Sequence, residues 1–148
     1  MTVTSVQLLA SIKSLLADVG GFQLIATGMP HLTIPEGLCA FVAMESITVS
    51  DLTLTSPVEL RGARVRLTRG YASTSFADIE TELAAKVDQV ATEIYTNFTF
   101  SSLIRNPDFT NGFGVTWSDE QIPNDGNWFR CADITVPAVI HSDVLMVA

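Results

Sequence analysis

The sequence predicts an α+β fold: a mixed, largely antiparallel sheet packed against two amphipathic helices. Three observations predict it. Apolar residues recur at helical spacing in two separate stretches, 5 to 19 and 76 to 96. Runs rich in Val, Ile, Leu and Thr alternate with a period of two between and after those stretches, as half-buried strands do. The order helix, strands, helix, strands suits helices lying on an antiparallel sheet better than a regular βαβ alternation. At 148 residues, one domain spanning 1–148 is the expected organisation.

The first helix is expected over 5–19. Thr4 and Gln7 have the spacing of a capping box, and Leu8, Leu9, Ile12, Leu15, Leu16 and Val19 form one stripe until Gly20-Gly21 releases the chain. FQLIAT, 22–27, reads as a short strand, with turns at GMPH and IPEG. LCAFVAM, 38–44, is continuously apolar, the pattern of a central strand buried on both faces. SITVSDLTLT alternates until Pro57 closes it, and VELRGARVRLTRG, 58–70, follows as another strand. In the latter Val65 and Leu67 point one way and Arg64, Arg66 and Thr68 the other.

The second helix, 76–96, starts after Ser75 as N-cap and carries a stripe of Phe76, Ile79, Leu83, Val87, Val90 and Ile94, widened by Ala84 and Ala91. Glu80, Glu82, Asp88 and Glu93 stay off that stripe. The Asn-, Gly-, Asp- and Pro-rich stretch 106–127 is expected to be a long loop or hairpin with GVTW as its one extended piece. WFRCADITVPAVI closes the fold as a strand to about 136, since Pro137 argues against central continuation and leaves an edge or a bend open. Its alternation puts Trp128, Arg130, Ala132, Ile134 and Val136 on one face, and Phe129, Cys131, Asp133 and Thr135 on the other.

Eight Lys and Arg against sixteen Asp and Glu give a formal net charge of −8, which disfavours a general nucleic-acid binder. Half of those basic residues, Arg61, Arg64, Arg66 and Arg69, nonetheless fall within nine positions. This strip stands against an acid-rich second helix that carries Glu80 and Glu82. Only 16% of residues are charged, so partners are expected to cover part of the surface. No apolar run approaches the eighteen residues of a membrane span, and the start has no basic region typical of a signal peptide.

The sequence contains none of the familiar hydrolase, zinc-protease, nucleotide-binding or CxxC motifs. No catalytic, cofactor-binding or metal-binding residue is assigned, and no enzyme activity or cofactor is expected. Cys39 and Cys131 lie in apolar contexts typical of buried free thiols, with a bridge between them as the alternative. Asp119, Glu120 and Asp125 share a predicted loop but lack EF-hand spacing, so a solvated acidic turn is expected. Asn97-Phe98-Thr99 matches a glycosylation acceptor by chance, and Trp117, Trp128 and Phe129 are expected to seal the core instead of stacking on bases.

In the order of its elements the chain resembles the tail terminator, or tail completion, proteins of long-tailed bacteriophages. The likeness lies in the VQLLASIKSLL helix, the GMPH and IPEGLCAFVAM connection and strand, the VELRGARVRLTRG strand, the DIETELAAKVDQVATEI helix and the NWFRCADITVPAV strand. The loop before the closing strand is longer here than compact members would have. The resemblance implies a sheet flanked by helices and a homohexameric ring at the head-tail junction of the virion. Such a ring caps the tail tube protein, docks to the head-side connector protein and lets DNA pass without sequence-specific binding. It implies no membrane. The strip, Arg61, Arg64, Arg66 and Arg69, with Glu80 and Glu82, is then the candidate assembly interface, where charge complementarity with an acidic neighbour would set register. The alternatives are Arg64 and Arg66 bordering the DNA channel, or a solvated face with partners inside the chain. Another connector or head-completion protein is the alternative within this class. A small nonviral ligand-binding or enzymatic domain is the alternative outside it, marked by a pocket collecting His31, Cys39 or Asp133.

Overall fold

Two helices lie on one face of a six-stranded sheet in a computed structural model that describes residues 5–30, 34–50, 58–71, 75–96, 106–107, 114–121 and 126–141. Of 47–50, 58–61, 95–96, 106–107 and 137–141 it describes the backbone alone. In chain order the elements are α1 (Ser5–Val19), β1 (Leu24–Thr27), β2 (Cys39–Ser50), β3 (Val58–Gly70), α2 (Phe76–Thr96), β4 (Asn106–Pro107), β5 (Gly114–Gln121) and β6 (Trp128–His141). The sheet runs β1-β2-β3-β6-β4, with β5 also on β6. Only β1 and β2 are parallel among these pairs, so the sheet is mixed and largely antiparallel, as predicted.

The helix-bearing face holds the main core. Leu8, Ile12 and Leu16 of α1 and Leu83, Val87 and Val90 of α2 pack on Ala40, Val42, Val65, Leu67, Ala132 and Ile134. Full burial of each Leu or Ile contributes about 1.5–3 kcal/mol before entropy is counted. The two helix stripes read from the sequence are therefore the buried faces, with one exception. Phe76, at the first helical position, is 72% exposed and meets the Tyr71 ring edge-on at 5.0 Å.

Both helix ends follow local chemistry. Ser75 Oγ accepts from the Asp78 amide at 3.3 Å, the predicted N-cap. Gly20 and Gly21 take φ of 77° and 83°, the left-handed conformation that ends α1 cheaply only at glycine. Lys86 Nζ of α2 donates to the Gly20 carbonyl at 2.9 Å, and so ties the end of α1 to the second helix. Thr4 of the predicted capping box lies outside the described residues.

The opposite face carries a smaller core of Ile34, Cys39, Phe41, Phe129 and Cys131, against which Met29 packs. Cover from Ile34 and Met29, which lie between the parallel strands β1 and β2 in the chain, falls on this face instead of the helix side. It makes LCAFVAM a strand buried on both faces, as expected.

The strands depart from prediction in four places. Pairing of β1 begins at Leu24, two residues later than predicted. Residues 39–44 and 46–50 form one strand, joined by a bulge between Met44 and Ser46 that makes Glu45 the extra residue. The other predicted residues of SITVSDLTLT, 51–55, lie outside the described residues. β5 extends through Gln121, past the four residues expected, because pairing with β6 supplies hydrogen bonds that polar composition does not reveal. β6 continues to His141 although Pro137 interrupts it. Pro137 stays in register with Gly62 of β3, and among the described residues β6 pairs with β5 as far as Thr135 and with β4 from Ala138. No helix of the described residues is long and apolar enough to cross a membrane.

Candidate functional site

The arginine strip is split between the two faces of the sheet, because its members fall on both phases of strand alternation. Arg64 and Arg66 share the face opposite the helices. Arg66 meets Asp133 of β6 in a two-pronged ion pair, with Nε–Oδ1 at 2.7 Å and Nη2–Oδ2 at 2.9 Å. The two residues are register partners, which fixes the geometry. Their side chains are 17% and 15% exposed, and the Asp133 hydrogen bond raises the pKa of the guanidinium. Arg64 donates to Glu45, at 2.6 Å, and both side chains keep about a third of their exposure. The bulge places that carboxylate.

Arg69 lies on the helix side. Its Nε donates to Glu82 of α2 at 3.1 Å and its Nη1 to the Glu36 carbonyl at 2.7 Å. Directly across the ladder stands Arg130, whose Nε donates to Glu80 at 3.0 Å and whose Nη1 lies 3.5 Å from Asp119. The Glu80 hydrogen bond raises the pKa of Arg130. Glu80 and Glu82 are thus engaged within the same chain, by Arg130 and Arg69. Arg61 sits in β3 in register with Ile47 and Ala138, and its side chain is not among those described. Sequence reasoning missed Arg130 and Asp133 as partners. Their alternation in WFRCADI places them correctly, but only strand register shows which arginine each one faces.

At the end of the sheet where β3 leads into α2, a cleft of about 710 Å³ opens between Tyr71, Phe76, Glu80, Asp119, Trp128 and Arg130. Trp128 is 53% exposed and Trp117 is 37% exposed, with the Arg130 guanidinium 5.7 Å from the Trp117 ring centre. These tryptophans do not seal the core, contrary to expectation, since Trp117 lies on β5, which pairs with β6 alone, and Trp128 is the first residue of β6. Phe129 does, at 1% exposure. Tyr71 donates to Asp119, and burial together with that bond pushes its pKa up to about 12. Asp119 and Glu120 point to opposite faces of β5, one opposite Arg130 and the other opposite Phe129, so they cannot share a cation. Asp125 lies outside the described residues. Among the described residues no three His, Cys, Asp or Glu side chains group to hold a metal.

Cys39 and Cys131 flank Thr68 on the face opposite the helices, each being its register partner. Two strand spacings, about 9.5 Å, separate them, beyond the roughly 7 Å between Cα atoms that a disulfide tolerates. Both are buried free thiols. A cavity of about 260 Å³ beside them is lined by Pro30, Arg66, Thr68, Glu120, Phe129 and Cys131 among others, with neither Cys39 nor Asp133 in its wall. His31 lies outside the described residues, as does Asn97 of the glycosylation match.

Burial pushes the Cys131 thiol from about 9 up to about 12. A folded-state pKa raised in this way contributes stability that is complete below the unfolded pKa and is lost as pH rises toward the folded one. Unfolding free energy should therefore fall by about 1.4 kcal/mol per pH unit above pH ~9 from this thiol alone. Cys131→Ala should show a shallower alkaline decline in urea titrations. An equally steep decline would assign the loss to other groups.

Compared with models of known protein families and with curated proteins, the chain matches none.

Proposed function

We propose that this chain is a structural virion protein that caps a phage tail tube as a ring and presents the docking surface for the head-side connector. The observation that carries the proposal is the order and layering of the elements. A leading helix, the β2-β3 pair, a second helix and a closing strand build a largely antiparallel sheet packed against helices, which is the architecture the resemblance implies. This is a warrant from fold and element order, applied by analogy.

In this reading the strip has two duties. Arg66 and Arg69 hold the subunit together through Asp133 and Glu82. Arg64 and the exposed edges of Glu80 and Glu82 stay available to a neighbouring subunit or the tube. Arg66→Gln is consequently a poor probe of assembly, since it also breaks a mostly buried pair. Arg64→Gln is the cleaner one.

A phage deleted for this chain tests the proposal. Supplying the wild-type chain should restore tail length control, head joining and DNA delivery together, and the Arg64→Gln chain should fold normally but restore joining less well. Electron microscopy of the tails should show copies of the chain around the tube axis. Assembled particles in which the chain makes no contact between copies around an axis would overturn the ring.

A further inference from the structure

We propose that two different surfaces of this chain mate head to tail between copies: the aromatic and acidic cleft beside the start of α2 receives the Lys13 side of α1 from the next copy. The contact rests on the ring reading and names the surfaces that build the ring.

The cleft side has the chemistry of a binding hot spot. Tyr71 and Phe76 meet edge to face, which holds the exposed Phe76 ring in place, and Trp128 stands across from them. Trp, Tyr and Arg are the residues that most often dominate interface energies. Two carboxylates, Glu80 and Asp119, face one guanidinium, Arg130, so the cleft keeps an excess of negative charge beside open ring faces. An ammonium group gains from both, through Coulomb attraction and cation–π contact.

The mating side lies on α1. Val6, Leu9, Ala10 and Lys13, with Thr27 of β1, line a shallow groove of about 330 Å³. Val6 is 76% exposed although it lies in the first turn of a helix whose other face is buried. Lys13 has no hydrogen-bond or ion-pair partner among the described residues, whereas Arg64, Arg66, Arg69, Lys86 and Arg130 all have one. Phe76 of one copy fits against Val6 and Leu9 of the next, while Lys13 reaches Glu80 and Asp119. This arrangement covers three of the four large apolar side chains that the described residues expose: Val6, Phe76 and Trp128. Because the two patches differ, the contact is heterologous: it propagates from copy to copy instead of stopping at a dimer, and makes a ring where the rotation between copies closes.

Sedimentation velocity and native mass spectrometry on the full chain test the contact with two variants, Lys13→Glu and Phe76→Ala. Both side chains reach the surface, so thermal midpoints should stay near wild type. Each variant should associate at least about tenfold more weakly than wild type. Mixed in equal amounts they should form dimers, since the Lys13→Glu copy keeps an intact cleft and the Phe76→Ala copy an intact α1 face. Wild-type association in either variant would overturn this contact and leave the ring reading standing. Variants that stay monomeric when mixed would overturn the head-to-tail arrangement. A wild-type chain that is monomeric at every concentration it reaches would also overturn the contact, and the ring reading would then be decided independently by the assembled tails.

Discussion

Leu83→Ala should lower the unfolding free energy by about 2 to 5 kcal/mol. Leu83 is fully buried in the middle of α2, between the helix and the sheet residues it packs on, and truncating it leaves a cavity that flanking strands cannot close without breaking their own pairing. The neighbouring Glu82→Gln change should cost less than about 1 kcal/mol, because Glu82 is 43% exposed and its pair with Arg69 is screened by water. Urea denaturation monitored by circular dichroism reads both, and equal slopes would show that the two variants unfold the same surface. The reverse ranking would mean that the other side of α2 faces the core.

Asp133→Ala should cost about 3 kcal/mol, toward the lower end for a buried pair because both side chains retain some water. The loss arises from the partner left behind: the Arg66 guanidinium keeps its place on the sheet with two donors unpaired. Adding Arg66→Met should therefore recover much of the stability, since an apolar side chain of similar length needs no partner. A double variant as unstable as the sum of the two single ones would show that the pair does not couple. That outcome would remove the ion pair as a determinant of how β3 and β6 sit together.

The helices were legible because their signal is local. The apolar period of 5–19 and 76–96 is complete within each segment, with Gly20-Gly21 and Ser75 directly beside them, and tertiary packing had only to accept the stripes they offer. Phe76 is the instructive failure. Its spacing fits the stripe, but whether a stripe residue is buried depends on how far the opposing sheet extends. β5 fails differently: SDEQ has little strand propensity, and its extended form comes from the ladder with β6. Pro137 likewise reads as a stop, although pairing with β3 and β4 carries β6 past it.

By itself the sequence determined the class of fold, both helices with their buried faces, the alternation of β3 and β6, and the burial of both cysteines. Those properties follow from periodicity and composition, which are written in neighbouring residues. Tertiary structure alone decided that β3 lies beside β6, that Arg66 therefore meets Asp133 while Arg69 turns to Glu82, and that Thr68 separates Cys39 from Cys131. It also decided that Tyr71, Phe76, Trp128 and Arg130 gather at one end of the sheet. The physical reason is that a strand carries its alternation along the chain, but its neighbours and register are set by long-range pairing, which no local pattern encodes.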